Sequence, residues 1–297
     1  MVATAILIVV VPLLTLLMLE TIPGGYCSSI LPEHASIKTI QSCEKNINLP
    51  VWHNYVSTLN GLVHFDLGRS LSSSKRPIVI EIQEQLVHTL RLGLVSFTVS
   101  LSIGIWGGIV LAQQRQSFSG QLLNWVGISI ISLPSFVFAL ILMKIFALRL
   151  GWVSILGDAS NWRMMILPVL SISVPLGTWF ARITRNSIVD VLNRDYVRTA
   201  SAKGLADHAI YMSHAFRNAL ATIIPLGGLI FAGLLDGSLL IEIIFSRPGL
   251  GRYTLHAVLT HDYPALQGVI LLVLLTTIFA NLLADLMYYS LFPQSRG

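Results

Sequence analysis

The stretch DYVRTASAKGLADHAIYMSHAFRNAL, from Asp195 to Leu220, decides how the rest of this chain is interpreted. It is polar, basic and compatible with helix, and a long apolar segment lies on each side of it. A membrane protein with so long a polar segment between two spans presents a surface to a partner in the cytoplasm. The pattern therefore indicates a machine driven by that partner, not a passive pore.

The composition of the whole chain indicates a membrane protein. Of the 297 residues, 54% are hydrophobic and 11% are charged, whereas a soluble domain carries roughly a quarter charged residues. An apolar run of about 20 residues crosses the hydrocarbon core as a helix, because each backbone group in lipid must be bonded within its own segment. We predict an all-α membrane protein with about six transmembrane helices. The predicted spans are Ala3–Leu19, Leu90–Ala112, Leu122–Leu148, Met164–Ile183, Ala219–Phe245 and Gln267–Leu291.

Three regions follow from these spans. Residues 1–20 form a first transmembrane helix, which we interpret as retained and not as a cleaved signal peptide, because a basic n-region is missing. Residues 21–88 form a periplasmic loop with short amphipathic helices, which either dock an external partner or pack against the bundle. Residues 89–297 form a five-helix core that includes the polar loop 185–219.

The distribution of positive charge predicts the orientation. Lys and Arg accumulate on the cytoplasmic side of membrane proteins, and the loop 185–219 is rich in them. We therefore place this loop and both termini in the cytoplasm. Lys75 and Arg76 lie on the opposite side, but they belong to a long loop, and long loops cross largely regardless of charge.

The chain lacks common catalytic signatures. It contains no phosphate-binding G-x-x-x-x-G-K-[ST] loop and no H-E-x-x-H pair, and its histidines show no repeated ligand spacing. We expect no enzyme activity, no metal site and no cofactor bound by this chain. Cys27 and Cys43 both lie in the outer loop, where they either form a disulfide or remain two free thiols.

Charged residues inside spans suggest function because they are costly in lipid. Asp236 and Glu242 in the fifth span are candidates for a translocation path. Asp236 either contacts a cationic substrate or pairs with another charge. Asp285 in the sixth span more simply anchors that helix near the cytoplasmic side.

The 195–220 stretch resembles the EAA loop of the inner-membrane permeases of binding-protein-dependent ABC importers, in which an alanine and a glycine are separated by three residues. Ala200 and Gly204 occupy these positions. Further matches to the dipeptide, oligopeptide and nickel branch are FDLGRSL at Phe65–Leu71, IEIIFSRPGLGRY at Ile241–Tyr253 and HDYPALQG at His261–Gly268.

The chain also departs from the family pattern. Arg198 replaces the glutamate that names the loop, and His214 stands where isoleucine is usual. Asp236 stands where a small or hydroxyl residue is more usual, a departure that concerns the substrate and not the fold.

The resemblance implies a type I ABC importer permease fold and a helix–turn–helix that couples this chain to an ATPase. The implied coupling residues are Asp195, Arg198, Ala200, Lys203, Gly204, Leu205 and Ala206. The implied partners are a second homologous permease, two ATP-binding subunits that use ATP and Mg, and an external substrate-binding protein. The implied location is the bacterial inner membrane.

The branch handles short peptides, nickel and metal–chelate complexes. The short chain and the short outer loop between spans three and four favour the metal side. Two other classes of function remain: a stand-alone secondary carrier or channel, which would need no ATPase, and a membrane protease, which would need Asp236 and Asp285 to form a catalytic pair. Their predicted positions near opposite faces argue against the protease.

Overall fold

The computed structural model of the protein describes residues 76–153, 161–195, 216–260 and 262–291 without interruption. It also describes residues 10, 12–13, 17, 55–56, 59–61, 64, 66–70, 197, 199 and 203. The chain divides into two compact units. Unit 1 contains Met1–Thr89 and Pro248–Ile278, and unit 2 contains Leu90–Arg247 and Phe279–Gly297. Over the described ranges the regular structure is helical, and the extended pairing there is a bridge between Arg69 and Pro77.

Helix α1, Ile78–Gln113, contains the predicted second span. It follows Pro77, whose carbonyl accepts hydrogen bonds from the N–H groups of Ile80 at 3.1 Å and Glu81 at 3.3 Å. Proline suits a helix start because the N–H that it lacks would have no partner there. The negative charge of Glu81 in the first turn interacts favourably with the helix dipole. The helix is long and apolar enough to cross a membrane.

The predicted third span, Leu122–Leu148, is not one continuous helix. Helix α2, Phe118–Ile131, and helix α3, Ser135–Leu142, are separated near Pro134, and a π-helical turn, Met143–Arg149, continues α3. The two parts are bent by 104°. Pro134 has no N–H to continue the α2 hydrogen-bond ladder, so the chain turns and begins α3 anew.

Helix α4, Ile166–Leu192, contains most of the predicted fourth span and follows a 3₁₀ turn at Trp162–Met165. The helix continues through Pro175. The 3₁₀ turn and α4 together, Trp162–Leu192, are also long and apolar enough to cross a membrane.

Three helices complete the described chain. Helix α5 is Arg217–Ile244, helix α6 is Leu250–Leu259 and helix α7 is Tyr263–Leu291. Helices α5 and α7 occupy the predicted fifth and sixth spans. The described part of the chain thus contains two helices able to span a membrane by length and composition, or three with the bent α2–α3 pair. The predicted first span, Ala3–Leu19, lies mostly outside the described residues.

Unit 2 is held together by close contact between α1 and α4. A Cβ placed at Gly104 would collide with Phe180, and one placed at Gly108 would collide with Thr184. The Gly104/Gly108 pair therefore serves helix packing, as small residues do in membrane helices. Gly233 in α5 differs, because among the described residues a Cβ there would meet nothing within 4 Å.

Two apolar clusters fill unit 2, and Phe97 of α1 contributes to both. Its ring packs edge-on against Phe180 of α4, with centroids 6.2 Å apart, and against Phe231 of α5, with centroids 5.2 Å apart. Such edge-to-face pairs add to the energy of burial. Helix α1 thus contacts both α4 and α5 through Phe97, and the buried residues of α4 include Phe180 and Ile188.

Candidate functional site

A tight turn at residues 60–68 forms one wall of a site in unit 1. The N–H groups of His64 and Asp66 both donate to the Gly61 carbonyl, at 3.0 and 2.8 Å. The Gly68 N–H donates to Asp66 Oδ1 at 2.9 Å. Gly68 has φ of +79°, a conformation that side-chain-bearing residues rarely adopt.

The chain after this turn is fastened to a distant part of unit 1. The Ser70 N–H donates to the Arg76 carbonyl at 3.0 Å, and the Ile78 N–H donates to the Gly68 carbonyl at 3.1 Å. The Ser70 hydroxyl donates to the carboxylate of Asp262, and both side chains are buried. This contact joins FDLGRSL to HDYPALQG across 192 positions of sequence.

The start of α6 is fastened to the first turns of α1. The N–H groups of Gly249 and Leu250 donate to Gln85 Oε1 and Thr89 Oγ1, each at 2.9 Å. The Tyr253 hydroxyl donates to Glu81 Oε2 at 2.8 Å. Burial and the Glu81 carboxylate raise the pKa of Tyr253 far above its usual value, so this tyrosine stays a hydrogen-bond donor at any physiological pH.

A cavity of about 510 Å³ lies between the 60–68 turn and the beginning of α7, wholly within unit 1. Its lining combines polar groups with apolar side chains and glycine backbone. The amide nitrogen Nε2 of Gln267 is buried and has no hydrogen-bond partner in the part of the chain that the structure describes. The lining residues are Asn60, Gly61, His64, Asp66, Leu67, Gly68, Pro264, Gln267, Gly268 and Leu271.

A group of charges lies at the end of α5 in unit 2. Glu242 is 1% exposed and Arg247, just beyond the helix, is 7% exposed. The Arg247 N–H donates to the Glu242 carbonyl at 2.9 Å. Burial lowers the pKa of the Arg247 guanidinium, the charge of Arg91 lowers it further, and Glu242 opposes both effects.

The other candidate for the translocation path, Asp236, lies within α5. Its side chain is outside the described residues. Its neighbours Leu234 and Ser238 are both buried.

The polar segment after α4 is partly described. Asp195, Val197 and Thr199 are helical, and the Lys203 N–H donates to the Thr199 carbonyl at 3.1 Å, which is helical spacing. Asp195 and Lys203 are exposed, whereas Val197 is 3% exposed. The other predicted coupling residues, Arg198, Ala200, Gly204, Leu205 and Ala206, lie outside the described residues.

Comparison with known proteins identifies the chain. Residues 104–297 match the family described as binding-protein-dependent transport system inner membrane component. This protein belongs to that family. The glutathione transport system permease protein GsiC of Escherichia coli K12 is 34% identical over 289 residues, which cover 97% of this chain and 94% of that protein. GsiC of Shigella dysenteriae serotype 1 matches with the same identity and coverage.

Solved structures support the fold of this ABC importer permease. An amino acid ABC transporter with histidines is similar with a TM-score of 0.56 at 19% identity, over 71% of this chain and 94% of that one. The MetNI methionine ABC transporter in an inward-facing conformation is similar with a TM-score of 0.59 at 13% identity, over 70% and 95%. The type I importer permease fold predicted from the sequence is thereby confirmed.

The permease contains site residues that the sequence did not indicate. Ser70, Asp262, Tyr253 and Gln267 all lie within the quoted motifs, but the motifs indicated a family and not contacts between side chains. Cys27 and Cys43 lie outside the described residues, so their pairing stays a prediction. Among the described residues, no group of three or more His, Cys, Asp or Glu is placed to hold a metal.

Proposed function

We propose that this permease forms half of the translocation path of an ATP-driven importer whose cargo is a short peptide, glutathione included. The single observation that carries the proposal is the 34% identity to glutathione permeases along nearly the whole length of both chains. A match of this extent includes the outer loop as well as the conserved core of the fold. It therefore supports a shared class of cargo as well as a shared architecture.

The charges at the end of α5 support a peptide cargo. Peptides carry a carboxylate at one end, and glutathione carries a second one on its γ-glutamyl residue. Arg247 is buried and the positive charge of Arg91 acts on it, and arginine matches the planar geometry of a carboxylate. In this proposal Arg247 attracts the carboxylate of the peptide. Glu242 and Asp236 line the path and contact the ammonium group of the peptide.

The coupling of transport to ATP is assigned to the segment after α4. The buried Val197 anchors one face of its first helix, so the exposed face of Asp195 and Lys203 is directed away from the chain's own core. The ATP-binding subunit docks there, with Arg198, Ala200, Gly204, Leu205 and Ala206 completing the contact. Closure of the ATPases on ATP and Mg then moves this segment as a rigid body and reorients the spans.

The complete importer contains a second homologous permease, two ATP-binding subunits and an external binding protein that delivers the cargo. The chain lies in the bacterial inner membrane with both termini in the cytoplasm. It performs no covalent chemistry itself, and ATP is bound by its partners.

Uptake measurements test the proposal. Cells with and without this gene are given labelled glutathione, dipeptides and oligopeptides, and cell nickel, cobalt, zinc and copper are measured in parallel by mass spectrometry. We expect loss of peptide uptake, restored by the gene on a plasmid, with unchanged metals. A selective fall in one metal with normal peptide uptake contradicts the peptide cargo and favours a metal–chelate importer. Uptake that persists after the partner ATPase is inactivated contradicts the importer and favours a stand-alone carrier.

A further inference from the structure

We infer that the cavity between the 60–68 turn and α7 is the docking site for a polypeptide loop of the external binding protein. The inference rests on the proposed function, which supplies that partner, and it assigns the contact to particular residues of unit 1. The turn belongs to the loop that the charge distribution places on the outer side of the membrane.

The polar groups of the cavity match a peptide backbone. The Nε2 group of Gln267 is a buried donor without a partner in the described chain, and a buried donor left unpaired is costly. Rotation of this amide toward the cavity, which Gln267 lines, would let an incoming carbonyl oxygen accept from it. The exposed Asp66 carboxylate lines the same cavity and accepts an incoming N–H. Each peptide unit carries one donor and one acceptor. An extended loop can therefore accept from the Gln267 amide on one wall and donate to the Asp66 carboxylate on the other.

The lining argues against other occupants. Its described residues include no Lys or Arg, so they offer no cation to the phosphate of a lipid headgroup. Among the described lining residues the one carboxylate is that of Asp66, whereas a hard divalent cation requires several oxygen ligands. Leu67, Pro264 and Leu271 give it an apolar part, which suits a side chain carried by a protein loop.

The site is open and already formed. Among the described residues a Cβ at Gly68 would meet nothing within 4 Å, which leaves room for a partner backbone to approach the turn. The hydrogen bonds within the turn and from Ser70 to Asp262 hold the two walls in place. Binding to a preformed site avoids the cost of ordering its walls.

Docking of the purified, substrate-loaded binding protein to the complete importer in lipid nanodiscs tests this inference. Asn60→Trp fills the mouth of the cavity from an exposed position, and Val56→Trp places the same side chain earlier in the same segment, at a residue that is 51% exposed and does not line the cavity. We expect Asn60→Trp to weaken docking at least tenfold and Val56→Trp to leave it unchanged. Gln267→Leu should weaken docking roughly fivefold, the equivalent of one hydrogen bond.

A photo-crosslinking amino acid at His64 provides a second readout that does not depend on folding effects. We expect cross-linking of position 64 to the binding protein and none from position 118, which is exposed in unit 2. Equal docking by Asn60→Trp and Val56→Trp, or no cross-link from position 64, overturns the inference. It is also overturned if free glutathione, without the binding protein, binds the importer and Asn60→Trp abolishes that binding.

The wild-type importer separates this inference from the proposed function. If the wild type docks the binding protein and imports peptide while the cavity variants behave identically, only the docking site is wrong. If the wild type neither docks the protein nor imports peptide, the proposed function itself fails.

Discussion

The Ser70 hydroxyl donates to the buried carboxylate of Asp262, and this contact fastens the outer turn to the start of α7. Asp262 also accepts the Ala265 N–H at 3.2 Å through its other oxygen. One side chain thus caps the first turn of α7 and holds the segment around Ser70. Because Asp262 is 2% exposed, water cannot replace either bond.

We predict that Asp262→Ala lowers the stability of unit 1 by about 1–3 kcal/mol, the usual cost of leaving buried donors without an acceptor. Ser70→Ala is the matched variant, since it removes one bond and leaves the α7 cap intact. The measurement is the apparent Tm of the purified protein in detergent. Equal losses for the two variants would contradict the double role of Asp262.

The hydrogen bond from Tyr253 to Glu81 predicts a loss of stability in alkaline solution. The pKa of Tyr253 is raised above its usual value near 10, so the folded protein keeps this proton at a pH where the unfolded chain releases it. The stabilisation is therefore complete below pH 10 and falls as the pH rises further. We expect Tyr253→Phe to cost about 1 kcal/mol at pH 7.

A pH series of apparent Tm values for wild type and Tyr253→Phe checks this. The two curves should converge above pH 10, because only the wild type has the tyrosine proton to lose. A constant difference between them up to pH 11 would show that Tyr253 acts through packing alone.

The apolar runs predicted where most helices lie but not where they begin. Helix α1 starts at Ile78, well before the predicted Leu90. Hydropathy missed these first turns because they carry Glu81, Glu84 and Gln85. Those polar residues are compatible with a helix but not with lipid, so hydropathy excludes them. Pro134 made an interruption of the third span predictable. The bend of 104° found there was not, because the angle depends on how α2 and α3 pack.

The contacts that form the candidate site were less predictable. Ser70 and Asp262 are 192 positions apart, and no local pattern pairs one hydroxyl with one carboxylate over that distance. Likewise, Gln267 is part of a motif, yet only the fold shows that its amide lines a cavity. Sequence periodicity reports the environment of a residue along its own helix, not the identity of its partner on another.

Close packing of α1 on α4 predicts that Gly108 tolerates no larger residue. A Cβ there would lie 2.7 Å from Thr184 Cγ2 and 2.8 Å from the Ala181 carbonyl oxygen. Gly108→Ala should destabilise unit 2 by about 1–3 kcal/mol through overpacking. Gly233→Ala is the control, as its Cβ would meet none of the described residues within 4 Å. Thermal unfolding in detergent measures both, and a Gly233→Ala loss as large as that of Gly108→Ala would refute the packing argument.

The last prediction concerns coupling to the ATPase. Gly204→Asp should abolish peptide uptake while the protein still inserts in the membrane, because a charged side chain would hold apart the two short helices predicted to meet there and would disturb the ATPase contact. Asn193→Asp adds the same charge at the exposed end of α4, outside the predicted contact, and should transport normally. Uptake, membrane content and co-purification of the ATP-binding subunit are measured for each. Normal uptake by Gly204→Asp would refute the assignment of this segment to ATPase coupling. Loss of uptake with the ATPase still bound would show that the variant assembles with the ATPase but does not transmit its movement.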